Sequence, residues 1–158
     1  MTTDRTTPGY SHTQKPPICL LIYALAAVFL AMGYFVRDAP PIPWLFPPIG
    51  LLMLVLAASI HQMTVEDRGD VLAIRFGPVP LLRRTVQYAD IGSVEVGRTL
   101  FLDGWGIHMS VRGGWVWNLW GRTCVVVHFK HDGTLSIGTD DAESLAGFLK
   151  RTIAGGGT

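Results

Sequence analysis

The residues of this chain that could do chemistry are few, and each has a local reason to stand where it does. His128, His131 and Asp132 lie together in "HFKHDG", and these residue types bind zinc, but the paired spacing of a metal site is missing. The Asp-Gly in that stretch is the signal of a tight hairpin turn, because both residues tolerate positive φ. Asp140 and Asp141 resemble paired carboxylates for acid–base work, yet Glu143 gives Asp140 the spacing of a helix capping box. Cys19 sits in an apolar run and Cys124 among valines, settings that suit small buried residues and neither activate a thiolate nor suggest a disulfide framework. No Ser-His-Asp arrangement can be drawn, and "GWG" and "GRT" lack the glycine pattern that cradles phosphate at a helix start. The expectation is a protein with no catalytic group, no cofactor and no metal.

What does stand out is "DGWGIHMSVRGGWVWNLWGR", residues 103–122, which holds four of the five tryptophans. Trp105, between two glycines, reads as packing. Trp115 and Trp117 share one strand face at spacing two, whereas Trp120 falls on the other face or in the next turn. Arg112 and Arg122 bracket them. Arginine with tryptophan suits the headgroup layer of a bilayer, and it equally suits a protein-docking patch. Arg83 and Arg84, the basic doublet, read as a solvated strand edge or a lipid-facing pair. These seven residues, Arg83, Arg84, Arg112, Trp115, Trp117, Trp120 and Arg122, form the candidate interaction surface.

The elements that must carry this surface begin in the apolar half of the composition. Of the 158 residues, 49% are apolar and the formal net charge is +1, which excludes the usual basic nucleic-acid surface. Residues 18–36 hold no charge and would make a helix of roughly 28 Å, near the ~30 Å of a hydrocarbon core. Residues 39–60 are also free of charge, and only Arg37 and Asp38 separate the two runs. The pattern predicts a transmembrane hairpin over residues 18–62, with spans at 18–36 and 42–62, although Pro43, Pro47 and Pro48 push the second helix start towards Pro48. Arg5 and Lys15 precede the hairpin, and Arg68, Arg75, Arg83 and Arg84 follow it, which predicts both termini in the cytoplasm. Residues 1–17 and 154–158 read as flexible tails.

Residues 63–153 read as about seven short strands followed by one helix. "MTVED" and "VLAIRFG" flank the turn "RGD"; "LLRRTVQY", "IGSVEVGR", "GWGIHMSV", "RTCVVVHFK" and "TLSIG" follow. In "TDDAESLAGFLKRTIA", Ala142, Leu145, Ala146, Leu149 and Ile153 fall on one helical face. Strands closed by a C-terminal helix are the order of a pleckstrin-homology-like (PH-like) barrel.

The stretches "YADIGSVEV", "DGWGIHM", "VWNLWG" and "VVVHFKHDGTLSIGTDDAESLAGFL" resemble membrane-anchored bacterial PH-like proteins, over roughly residues 60–153. That resemblance implies a β-barrel plugged by the C-terminal helix, held at the inner membrane behind a hydrophobic hairpin, and binding lipid or protein without catalysis. The chain departs from phosphoinositide-binding members. Its first hairpin turn, "EDRGD", sets Arg68 among Glu66, Asp67 and Asp70, and residues 64–158 carry ten Lys and Arg against ten Asp and Glu. The expected function is therefore a non-enzymatic module for protein recruitment or bilayer-surface binding at the bacterial inner membrane. The alternative is an accessory subunit assembled into a larger membrane complex through its apolar helices, with Ala27 and Ala31 as a small-residue pair for close approach.

Overall fold

The computed structural model describes residues 9–38, 41–78, 82–99, 106–110 and 113–155. They fall into two units, one of residues 15–62 with 76–82, the other of residues 1–14, 63–75 and 83–158.

The first unit is a helical hairpin. Helix α1 (Ile18–Phe35) has 18 residues, none of them charged, and at 1.5 Å per residue is about 27 Å long. A short 3₁₀ turn (Ile42–Trp44) leads into α2 (Phe46–Ser59). Pro47 and Pro48 explain where α2 begins: proline lacks an N–H and is tolerated only in a helix's first turn. Fourteen residues give about 21 Å, well short of a hydrocarbon core. Among the described residues only α1 is long and apolar enough to cross a membrane, so the chain has one candidate span and not the two expected. The helices run antiparallel. Phe29 and Phe46 bring their rings within 5.9 Å near one end, and Tyr23 and His61 come within 6.0 Å near the other. Contact between the backbones is close where Gly50 faces α1, for a Cβ there would lie 2.7 Å from Leu30 Cγ and 3.2 Å from the Ala26 carbonyl. The remaining faces stay apolar and exposed, with Leu20 and Leu21 at 67% and Phe35 at 75%.

The second unit is mainly β. Strand β1 (Ser11–Gln14) lies within the segment expected to be a flexible tail, and pairs antiparallel with β2 (Met63–Asp67), Ser11 opposite Glu66 and Gln14 opposite Met63. With β3 (Val71–Phe76) and β4 (Arg83–Gln87) they make a four-stranded sheet ordered β1-β2-β3-β4. A 3₁₀ turn (Tyr88–Asp90) then carries the chain into a second sheet. Its strands are β5 (Ile91–Arg98), β6 (Gly106–Met109), β7 (Trp115–Asn118), β8 (Thr123–Phe129) and β9 (Thr134–Gly138), in the order β5-β8-β9-β7-β6.

The closed barrel of about seven strands is thereby corrected: the described strands form two separate sheets. A barrel closes only if its terminal strands find each other. Here β1 occupies the edge of β2, and the β6–β7 hairpin extends the second sheet beyond β9, with β7 parallel to β9. Helix α3 (Ala142–Gly155) packs on β5 and β8 through buried Leu145, Ala146 and Leu149. Inward Val125 and Val127 of β8 and Leu135 and Ile137 of β9 complete that core, each 0% exposed. The alternation read from "RTCVVVHFK" thus marks a half-buried strand.

Candidate functional site

Strand registers place a specific set of residues at one end of the five-stranded sheet. Ile91 of β5 faces Phe129 of β8, His128 faces Thr134 of β9, Leu135 faces Trp115 of β7, and Trp115 faces Met109 of β6. The start of β5 and the start of β7 therefore lie at the same end, three strand spacings or about 14 Å apart.

On the β7 side the exposed groups are apolar. Trp115 is 44% exposed and its cross-strand neighbour Met109 is 66% exposed. The turn that joins them is closed by Ser110 N–H to the Gly114 carbonyl at 2.9 Å. Gly114 has φ +85, and a Cβ there would run into the Thr134 side chain, so only glycine lets the hairpin lie against β9.

The other members of the predicted surface are dispersed. Trp117, two residues along the same face as Trp115, is buried, with Arg84 stacked 5.8 Å from its ring centroid. Burial pushes the Arg84 guanidinium below its ordinary pKa, so the basic doublet divides into an exposed Arg83 and a half-buried Arg84 that covers an indole. Trp120 is half-buried, and its carbonyl accepts the Gln14 side-chain amide at 3.0 Å. Arg122 is exposed, while its carbonyl takes the Thr99 N–H at 2.8 Å. Arg112 and Trp105 lie outside the described residues.

On the β5 side the same sheet end opens into a cleft of about 1180 Å³, walled by the last turns of α3, the start of β5, and the β2–β3 and β8–β9 turns. Its wall is held together by Asp67. That carboxylate is 7% exposed and accepts hydrogen bonds from Gly9 N–H at 3.0 Å, Gly69 N–H at 2.9 Å and the Tyr88 hydroxyl at 2.8 Å. Burial first, and then Asp67, push the Tyr88 hydroxyl far above its usual range. Phe148 of α3 stacks on Tyr10 at 5.6 Å and meets Tyr88 edge-on at 6.2 Å. Tyr10 in turn donates to Asp141 at 3.3 Å; burial and then the Asp141 charge raise its hydroxyl as well. Neighbouring Glu66 pairs with Arg68 at 2.6 Å and with Arg75, and the Arg68 hydrogen bond leads in holding its carboxyl below the ordinary value.

None of Asp67, Tyr88, Tyr10 and Phe148 belongs to the predicted surface. A signal for Asp67 exists in "MTVED": two-residue spacing from Met63 and Val65 puts it on their buried face, where a carboxylate needs donors. Two of the residues that suggested metal or acid–base chemistry, His128 and Asp140, have other partners. His128 Nε2 lies 3.1 Å from Glu95, His131 is exposed, and Asp140 lies 2.6 Å from His12 Nε2. Helix α3 begins at Ala142, which makes Asp141, not Asp140, its N-cap position. Among the described residues no three His, Cys, Asp or Glu side chains converge as metal ligands. The sheet end offers apolar contact at Trp115 and Met109, and charge at the rim of the cleft. The sequence matches no protein-family model and no curated protein.

Proposed function

We infer that this chain is a non-enzymatic, membrane-anchored binding module that recruits a protein partner through the end of its five-stranded sheet. The observation that carries the anchoring is the apolar sheath of the helical hairpin, where Leu20, Leu21, Tyr34, Phe35, Leu51 and Leu52 are each more than half exposed. Leaving such side chains in water costs about 25 cal/mol per Å², so lipid or protein must cover them. The arginines of the β unit, and the resemblance to membrane-anchored PH-like proteins of bacteria, favour the cytoplasmic face of an inner membrane for that unit. Fixing the module at a membrane raises its effective concentration for partners confined there, and a weak contact then suffices. Trp115 with Met109 is the exposed aromatic–thioether pair from which such a contact is built.

The test is fractionation of the full chain. The anchored reading expects it to stay in the membrane pellet through alkaline carbonate washing, with a reporter at the C-terminus active only in the cytoplasm. Release into the aqueous fraction sinks the reading. A second possibility, an accessory subunit of a membrane complex, draws on Ala27 and Ala31, which point outward while Ala26 is buried. Photo-crosslinks from positions 27 and 31 to other membrane proteins would favour it; crosslinks confined to positions 109 and 115 would favour recruitment.

A further inference from the structure

The cleft beside α3 carries charge that the described part of the molecule does not use. Lys130, Lys150 and Arg151 line it, all three are exposed, and none forms an ion pair among the described residues. Two acids also line it, but the oxygens of Asp67 are occupied by Gly9, Gly69 and Tyr88, which leaves Asp70 as the one free carboxylate on the described wall. The rim is therefore cationic, over a floor that includes Ile91 and Phe148.

Two features choose among anionic occupants. The volume, about 1180 Å³, exceeds the roughly 300–1,000 Å³ that encloses a drug-sized ligand, so a phosphate or a single headgroup would leave most of it open. In addition, residues 152–155 of α3 line the cleft, and the carbonyls of a helix's last turn have no partner within the helix. Carbonyls at the negative end of a helix dipole repel a phosphate, which brings no donors. An extended peptide brings both an N–H for each carbonyl and carboxylates for the cations.

We propose that this cleft docks an extended segment of a partner protein in which acidic and apolar residues are interspersed. Carboxylates pair with Lys130, Lys150 and Arg151, an apolar side chain lies against Ile91 and Phe148, and backbone N–H groups cap the end of α3. The proposal rests on the recruitment reading and gives that reading a ligand class.

The experiment uses the full chain in phosphatidylcholine nanodiscs and a displayed library of random short peptides, with one selected peptide then titrated by fluorescence anisotropy. Selection is expected to enrich Asp and Glu interspersed with apolar residues. Changing Lys130, Lys150 and Arg151 together to Gln should weaken the selected peptide by about 3- to 100-fold, since each exposed ion pair contributes roughly 1.4- to fivefold. All three side chains are exposed, so the melting temperature should hold and a loss of binding reports on the site. Enrichment without acidic bias, equal binding by the triple variant, or displacement of the peptide by inorganic phosphate or by phosphatidylglycerol in the disc would each overturn the proposal. Such a failure in a chain that still resists carbonate extraction leaves the anchoring intact, so the two readings fail separately.

Discussion

Replacing Asp67 by alanine is the sharpest test of how the β unit holds its cleft. The carboxylate joins three stretches of chain far apart in sequence: the lead-in to β1 at Gly9, the β2–β3 turn at Gly69, and the 3₁₀ turn at Tyr88. Hydrogen bonds to a charged group contribute roughly 1.5–3 kcal/mol each when buried, and a freed donor that reaches water costs less. The Tyr88 bond is buried and takes the full value, whereas the Gly9 and Gly69 bonds are half-buried and contribute about 1 kcal/mol or less each. Asp67→Ala should therefore destabilise the unit by ~2–5 kcal/mol. Asp67→Asn keeps one acceptor but points an amide donor at a second donor, and should cost about 1.5–3 kcal/mol. For a unit of ~100 residues, each kcal/mol moves the melting temperature by roughly 4–8 °C, so the alanine variant should melt at least ~8 °C lower. The assay is near-UV circular dichroism of the full chain in detergent, with hydrogen exchange read at the Gly9 and Gly69 amides. An alanine variant within about 1 kcal/mol of wild type, or with unchanged exchange at both glycines, refutes the claim that Asp67 fastens these segments.

Other perturbations follow from the same geometry. Tyr88 and Tyr10 have folded pKa values raised above the ordinary 10, chiefly by burial, so their stabilisation is complete below pH 10 and declines as pH rises beyond it. Melting temperature should fall between pH 10 and 11.5, and Tyr88→Phe should flatten that fall; an identical pH profile in the variant would contradict it. Glu66 has a folded pKa below its ordinary 4.5, mainly through Arg68, so its contribution holds above that value and is lost as pH drops under it. Glu66→Gln should reduce the acid sensitivity measured between pH 5 and 3. Trp117→Ala, which empties a buried site beneath Arg84, should cost ~3–5 kcal/mol in denaturant titrations, while exposed Trp115→Ala should stay within about 1 kcal/mol. In the hairpin, Gly50→Val puts methyl groups where the Ala26 carbonyl and Leu30 already lie, and a Gly33→Cys/Phe46→Cys disulfide should then form more slowly in membranes.

How far the fold could be read from the chain depended on whether the information was local. Helix α1 follows from one uninterrupted apolar run, and α3 follows from the 3.6-residue spacing of Leu145 and Leu149, so both were legible. The second apolar run misled because composition counts residues while a bilayer measures length. Pro47 and Pro48 fix the start of α2, and the polar His61 and Gln62 follow its end, leaving a helix of about 21 Å. Strand β1 could not be read at all. "SHTQ" has no apolar alternation, since it is an edge strand held by its ladder to β2, by Gln14 on the Trp120 carbonyl, and by Tyr10 on Phe148. Those partners lie 49 to 138 residues away, beyond any local pattern. The tryptophans fail for a related reason: Trp115 and Trp117 share one strand face, but only Trp117 has Arg84 above it, brought there by a strand of the other sheet. Alternation assigns faces and not depth along the strand. A surface built at the end of a sheet is therefore decided by register, and register is set by partners that only the folded chain supplies.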